Sequence, residues 1–248
     1  MALFTDGSIT EVQDLIEYET NLIEVADAEG IDLEAKLRLA QSEVGAELSA
    51  ATLGAASVPH FTLDHVVVTS PLKLWHTFQT QALIYRDAYN RKLNDKYLPK
   101  WNEYKDLARW AANLLYQRGV GLVLNPVPRS AKPALDAVPG ALDALALYVR
   151  LSWLSDSGAE GAPSLEVAFE TEANQALRVT PPAAPAGVVG WNVYAGTASG
   201  ETTRQNALPL EPNQPWILPA TGLVTGVAPG AGQEPDLFKA IPRFLQRG

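Results

Sequence analysis

The apolar residues of this chain change their spacing partway along it, from helical spacing to alternation. In the first half they recur every three or four residues, as in the series from Leu72 to Leu93. In the second half the run Gly190–Thr197 alternates, which predicts a strand with its apolar residues on one face. The apolar face comprises Trp191, Val193 and Ala195, and the opposite face Asn192, Tyr194 and Gly196. The chain is therefore predicted to fold as a helical region followed by a β region.

The helical half is predicted to be a bundle of about four helices, two short and two long. The first runs from near Thr10 to about Ala28, and Asp32 marks the start of the second. Ser70 and Pro71 have the residue types that begin a helix, and Pro99 separates this third helix from a fourth that ends near Gly119.

The two halves are joined by a stretch rich in proline, from Asn125 to Pro139, which predicts an extended linker. Strands are expected beyond it, near 145–154, 164–170, 175–180, 189–196, 202–209 and 215–218. The predicted domains are a helical domain at 1–130, a linker at 131–138, a β-sandwich at 139–230 and a C-terminal tail at 231–248.

Charge is distributed unevenly along the helical half. Residues 1–50 carry twelve acidic side chains against two basic ones, and residues 73–118 carry nine basic against four acidic. Two solvated helix faces would explain this, and so would an acidic segment that lies against a basic segment of the same or a neighbouring subunit. The residues that we expect at such a subunit interface are Arg86, Arg91, Lys92, Lys96, Glu17 and Glu24.

The C-terminal tail combines apolar and basic side chains after a run rich in glycine and proline. Because apolar residues at this density should find a surface to cover, the tail is predicted to dock, either on its own bundle or on another protein. Its docking residues are expected to be Leu237, Phe238, Lys239, Ile241, Arg243, Phe244, Leu245 and Arg247.

The sequence offers little for catalysis or metal binding. Cysteine is absent, and the three histidines show no spacing typical of metal ligands. Glu166, Glu170 and Glu172 could act as an acid–base pair, but a solvated strand face accounts for them more simply. No apolar run is long enough to cross a membrane, and the N-terminus lacks the features of a secretory signal. We therefore expect no enzymatic activity, no cofactor, no metal and no membrane partner.

Two resemblances add to these expectations. The run Leu147–Trp153, the segment Gly161–Ser164 and the strand at Gly190–Thr197 resemble the strands and turns of immunoglobulin-like and fibronectin type III sandwiches. The chain as a whole resembles the head–tail connector (adaptor) proteins of tailed bacteriophages. This second resemblance is carried in the helical half by the acidic segment Met1–Leu48 and the helices Trp75–Asn94 and Trp101–Gly119. In the β half it is carried by the segments Gly158–Ser164 and Gly190–Tyr194 and by Gln205, Asn206, Trp216 and Gly222.

The connector resemblance implies a structural protein of the virion neck, made in the host cytoplasm. It implies a ring of about twelve copies that attaches to the portal protein and to a tail or stopper protein. DNA would pass through the lumen without specific binding, which is compatible with an acidic chain of net charge −9. The portal-docking role of the tail is also implied by this resemblance.

Two other functions remain open from the sequence. One is an accessory module that binds a carbohydrate or a surface and is carried on a helical stalk. Exposure of Trp191 and Trp216 in one groove would favour that module, and burial of both, as Trp153 is also expected to be buried, would favour the connector. The other is a hydrolase, which would need two carboxyl groups facing each other across a cleft.

Overall fold

The structure, a computed structural model, describes residues 1–52, 61–92 and 95–240, and its contacts divide the chain into two compact units. The helical unit comprises the described residues of 7–123 and 235–248, and the β unit comprises residues 1–6 and 124–234. The chain thus passes between the units after Asp6, Val123 and Glu234.

These boundaries differ from the predicted domains 1–130, 139–230 and 231–248. The first six residues belong to the β unit because Leu3 and Phe4 are buried and the Met1 amino group donates to the Gln233 carbonyl at 3.0 Å. The Asp6 carboxylate also accepts hydrogen bonds from the amides of Leu3, at 2.8 Å, and Arg129, at 2.7 Å.

The helical unit contains five α-helices in its described residues. They are α1 (Val12–Ile16), α2 (Leu22–Glu29), α3 (Leu33–Thr52), α4 (Ser70–Lys92) and α5 (Leu98–Arg118), with short 3₁₀ turns at Leu63–His65 and Asp95–Tyr97. The starts of α3 and α4 agree with the sequence, since Asp32 accepts a hydrogen bond from the Ala35 amide at 3.0 Å and α4 begins at Ser70.

The predicted first helix is divided into α1 and α2. Asn21 precedes α2 as its N-cap, and Glu19 in the break turns its carboxylate to Lys100 and Tyr104. Helix α2 ends at Gly30, whose left-handed backbone (φ 57°, ψ 47°) is the conformation that glycine adopts most readily.

Helix α4 lies at the centre of the unit and packs against α3, α5 and α2. Between Leu72 and Tyr85 most of its side chains are buried, including polar ones. Thr77 and Thr80 donate to the carbonyls four residues earlier, and Gln81 donates to the Leu15 carbonyl at 2.9 Å. These bonds allow a polar helix surface to be buried at low cost. Among the described helices, none combines the length and apolar character needed to cross a membrane.

A small antiparallel sheet completes the helical unit. Strand β1 (Val120–Leu122) follows α5 and pairs with the C-terminal strand β9 (Leu237–Lys239). On the other side of β1, the Val67 amide donates to the Gly121 carbonyl at 2.9 Å. The C-terminal segment is therefore part of the helical unit at least as far as Lys239.

The β unit consists of two antiparallel sheets. Its strands are β2 (Ala134–Leu142), β3 (Leu145–Ser155), β4 (Val167–Thr171), β5 (Gln175–Thr180), β6 (Val188–Gly196), β7 (Thr203–Arg204) and β8 (Trp216–Ile217). One sheet has the order β2-β5-β8 and the other the order β4-β3-β6-β7. The helical and β layout predicted from the sequence is confirmed.

The two sheets share one core. Alternate residues of β3 and β6 enter it, and they meet Leu177 and Val179 of β5 and Trp216 of β8. The face of β6 predicted to be apolar lies in this core, as expected from the alternation. Its other face is also buried, because Asn192 and Tyr194 belong to a network of polar side chains.

The predicted linker at 131–138 is largely a strand. Strand β2 begins at Ala134 and pairs with β5 from Ala134 to Pro139 and again, after a shift in register, at Leu142. The Gly140 amide donates to the Asn174 carbonyl at 3.0 Å, so the preceding residue, Pro139, directs its nitrogen away from β5. Proline is tolerated at such a position because an edge strand needs no donor on its free side.

Candidate functional site

The acidic and basic segments of the helical unit contact each other within one chain. The Lys73 ammonium lies 2.7 Å from Asp14 Oδ1, and the Lys100 ammonium lies 2.9 Å from Glu19 Oε2. Burial alone would raise the pKa of Asp14, and the hydrogen bonds from Lys73 and the Glu11 amide outweigh it, so that this pKa lies below its ordinary value. Some acidic residues of 1–50 are therefore neutralised by basic residues of 73–118 in the same subunit.

The basic residues expected at a subunit interface lie elsewhere on the same unit. Half-buried Arg86 has its Nε 3.8 Å from Oδ1 of the adjacent Asp87. A Cβ on Gly30 would come within 2.8 Å of Arg91 Nη1, so this guanidinium lies beside the C-terminal end of α2, where a cation is favourable. The Lys96 ammonium lies 4.4 Å from the centre of the Tyr97 ring, and a hydrogen bond to that side chain raises the pKa of Lys96. Lys92, the fourth basic residue expected at the interface, has a side chain that lies outside the described residues.

The acidic residues expected at the interface are both exposed. Glu24 lies on α2, and Glu17 follows α1 and lines a groove of about 270 Å³ between α1 and α4. On its α4 side the groove is lined by Ser70, Lys73, Leu74 and Thr77. The Lys73–Asp14 ion pair lies in its wall, so these two charges of the groove already neutralise each other.

His76 is fully buried, and its role is structural. Its Nδ1 lies 2.7 Å from the Thr10 hydroxyl and its Nε2 lies 3.1 Å from the Leu37 carbonyl. A neutral ring that donates from Nε2 and accepts at Nδ1 satisfies both contacts. Burial lowers the pKa of His76 to about 4, although the Leu37 carbonyl and Asp14 favour the charged form.

Among the described residues, His65 does not form a metal site with His76. His65 contacts Asp64 and Thr62 in its own turn, and His60 lies outside the described residues. Across 1–52, 61–92 and 95–240, no three histidine or carboxylate side chains are grouped as metal ligands would be.

The predicted docking tail is described only in its first part. Leu237, Phe238 and Lys239 form β9, so these three residues are not a free tail. This part of the tail lies on its own helical unit because the backbone of β1 offers hydrogen bonds to it. The other predicted docking residues, Ile241, Arg243, Phe244, Leu245 and Arg247, lie outside the described residues.

The three glutamates considered for acid–base chemistry, Glu166, Glu170 and Glu172, differ in their surroundings. Glu166 accepts hydrogen bonds from the Ser199 hydroxyl, at 2.6 Å, and the Gly200 amide, at 3.0 Å, and it pairs with Arg150. Burial would raise the pKa of Glu166, and these donors hold it below its ordinary value. Glu170 and Glu172 are exposed. Glu166 therefore anchors a turn.

The tryptophans of the β unit lie in its core. Trp191 has no exposed surface, Trp216 is 8% exposed and Trp153 is also buried, as the sequence predicted. The Trp191 indole donates to the carbonyls of Glu211, at 3.0 Å, and Gln214, at 3.2 Å. Because these rings pack between the two sheets, they offer no flat surface to a sugar.

A polar network covers the other face of β3 and β6. Glu160 Oε1 accepts hydrogen bonds from Ser152, Asn192 and Tyr194, and the Asn206 amide group donates to Asn192 Oδ1 at 2.9 Å. Burial, followed by the hydrogen bond to Glu160, raises the pKa of Tyr194. The alternation of β6 predicted the face but not the burial of its polar residues.

One exposed aromatic residue was missed by the sequence analysis. Trp110 is 52% exposed on α5 and lies outside the buried stripe Tyr104, Ala108, Ala111 and Leu115. Its neighbours Leu107 and Leu114, at helical spacings of three and four residues, are half-buried. The sequence did indicate this exposure, because Trp110 does not share the helical spacing of the buried stripe.

Comparisons with known proteins add no identification. No model of a known protein family matches the chain, and no curated protein matches it significantly.

Proposed function

We propose that the chain is a structural subunit of a phage particle, a head–tail connector that forms a ring between portal and tail. The burial of Trp191 and Trp216 is the observation that supports this proposal over a carbohydrate-binding module. Two polar residues of types that catalysis often uses, His76 and Glu166, are engaged in structural contacts. These contacts agree with the proposal of a structural role in an assembly.

In this proposal the helical unit forms the ring and the β unit is peripheral. The β unit is proposed to be an immunoglobulin-like or fibronectin type III-like sandwich. Its four-stranded order β4-β3-β6-β7, with β3 and β6 in the centre, supports this, as does a core built around tryptophan. The ring would comprise about twelve copies, hold a lumen for DNA and contact the portal on one side and a tail or stopper protein on the other.

Attachment to the portal is proposed to depend on the C-terminal tail, and a pair of truncations tests this. Truncation after Gln233 is unsuitable because it removes β9. Truncation after Ala240 removes Ile241 and the residues that follow it and retains β9.

The assay is co-purification of the full chain or of the truncated chain with the portal protein from the same phage genome. We expect the full chain to bind and the chain that ends at Ala240 to be folded but unbound. Equal binding by both would show that residues 241–248 do not attach the protein. Failure of the full chain to bind any portal assembly would contradict the proposed function.

A further inference from the structure

Helix α5 carries an exposed apolar strip with an acidic margin. The Trp110 strip, defined as Leu107, Trp110 and Leu114, lies outside the buried stripe of this helix. Trp110 is 52% exposed, and the two leucines are half-buried. A spacing of four residues places exposed Glu103 beside Leu107 and exposed Asp106 beside Trp110. A segment that covers this strip should therefore combine apolar side chains with positive charge.

The two acidic side chains at the strip are only weakly engaged within α5. Glu103 Oε2 lies 3.4 Å from the Lys100 ammonium, which is closer to Glu19. Asp106 Oδ1 lies 3.3 Å from Arg109, a residue that helical spacing places on another face of the helix. More than half of each acidic side chain is exposed, and ion pairs at such positions are weak. Either carboxylate can therefore accept a different cation.

The small sheet of the helical unit brings the chain back to the end of α5. The segment that leads into α4 contacts one side of β1 through Val67, and β9 pairs with the other side. Strand β9 is antiparallel to β1, so Lys239 lies opposite Val120. A Cβ on Gly119, directly after α5, would lie 3.3 Å from the Lys239 carbonyl oxygen. The chain thus reaches the C-terminal end of α5 on the side of β1 away from the segment that leads into α4, and residues 241–248 follow from there.

We propose that residues 241–248 bind along the Trp110 strip of their own chain. This segment supplies apolar side chains and cations, namely Ile241, Phe244 and Leu245 with Arg243 and Arg247. Its composition therefore matches an apolar strip that has an acidic margin. The occupant is this segment of the same chain, rather than a second copy, because β9 ends beside α5.

The lengths of the two partners agree with this arrangement. An extended chain rises about 3.3 Å per residue and a helix about 1.5 Å, so Phe244 would lie about 13 Å beyond Ala240, and Trp110 lies about 13 Å along α5 from Gly119. Pro242 favours such an extended course because it disfavours helical backbone at the residue before it. The phenylalanine would therefore meet the tryptophan.

The charged ends of the two partners also coincide. In an extended chain Arg247 would lie about 23 Å beyond Ala240, and Glu103 lies about 24 Å along α5 from Gly119. An ion pair there would fix the direction and register of the segment more than its affinity. The inference goes beyond the proposed function, in which the same segment binds the portal. The Trp110 strip would hold the segment on the isolated subunit, and the portal would compete for it.

Disulfide trapping in the full chain tests this contact, because the sequence contains no cysteine. The variant Glu103→Cys with Arg247→Cys replaces the proposed ion pair by two thiols. The matched control, Arg109→Cys with Arg247→Cys, moves the first thiol to an exposed position on another face of α5. At low protein concentration we expect the first pair to close within one chain at least about tenfold faster than the control, measured by thiol titration and mass. Equal rates, or disulfides that join two chains, would overturn the inference.

A further substitution tests whether the Trp110 strip holds the segment. Trp110→Ala, added to the Glu103→Cys and Arg247→Cys pair, should slow closure to the rate of the control. Circular dichroism checks that this substitution at an exposed position leaves the helices folded. Leu208→Ala, at an exposed position of the β unit, is the matched substitution and should leave the rate unchanged. Closure that is equally fast with Trp110→Ala would overturn the strip as the docking site.

The trapped chain also separates this inference from the proposed function. If both hold, the oxidised Glu103→Cys and Arg247→Cys chain should fail to bind the portal, and reduction should restore binding. Failure to trap the segment overturns the inference alone, since the portal-binding assay does not depend on it. Trapping in a chain that never binds the portal would support the inference and contradict the connector.

Discussion

The buried, neutral His76 should make the helical unit sensitive to mild acid. In the unfolded chain this ring titrates with its ordinary pKa of 6.5, whereas burial lowers the pKa in the folded protein to about 4. Between these values the unfolded state binds one more proton than the folded state. Stability is therefore fully present above pH 6.5 and is lost as the pH falls toward 4.

The size of the effect follows from the difference between the two pKa values. Each pH unit in this window costs about 1.4 kcal/mol, so the free energy of unfolding should fall by about 2 kcal/mol between pH 7 and pH 5. The carboxylates of Asp14 and Glu19 stay ionised in this range because their pKa values lie below their ordinary values. Burial raises the pKa of Glu47, so this carboxyl acts in the opposite direction, and a variant of His76 is needed to isolate the contribution of the histidine.

Urea denaturation followed by far-ultraviolet circular dichroism measures this loss, since the signal is dominated by the helices. The variant His76→Gln carries an amide that does not titrate. It should be less stable than the wild type at pH 7 because it alters the contacts with Thr10 and Leu37, but its stability should change little down to pH 5. Equal pH dependence in the two proteins would refute the reasoning.

Three further substitutions test other parts of the fold. Gly30→Ala should destabilise the helical unit by about 1–2 kcal/mol in urea denaturation, because alanine resists the left-handed backbone and crowds Arg91; an unchanged midpoint would contradict this. Tyr194→Phe removes a donor from Glu160 and should cost the β unit about 1–3 kcal/mol in thermal unfolding, whereas Tyr148→Phe, at a residue paired with Gly196, should cost less. Pro139→Thr supplies an amide on the free side of β2 and should promote concentration-dependent association in light scattering; a variant that stays as dispersed as the wild type would show that this proline does not protect the edge.

The sequence located most of the β unit because its strands alternate cleanly. Strands β3, β5 and β6 fall within a residue or so of their predicted positions. Strand β2 was missed because Pro139 and the prolines that precede the strand indicated a linker, and only its position at a sheet edge makes Pro139 acceptable. The sequence also did not predict that residues 1–6 belong to the β unit and Leu237–Lys239 to the helical unit. Segments of six and three residues are too short to show a helical or alternating pattern of apolar residues.

The helical unit shows the same limit. Tyr18 continues the apolar spacing of the predicted first helix, yet α1 ends at Ile16 and the Tyr18 side chain is half exposed. Trp110 escaped notice because charge guided the choice of interface residues, and its exposure depends on which side of α5 packs on α4. Ion pairs such as Lys73–Asp14 depend on tertiary contacts that residue counts do not provide.

The mass of the full chain in solution, measured together with images of the particles, tests the central claim most directly. If the chain is a connector subunit, the purified protein alone or on its portal should form closed rings of about twelve copies, with the helical units around the lumen. A protein that remains monomeric alone and in the presence of the portal would contradict the connector assignment.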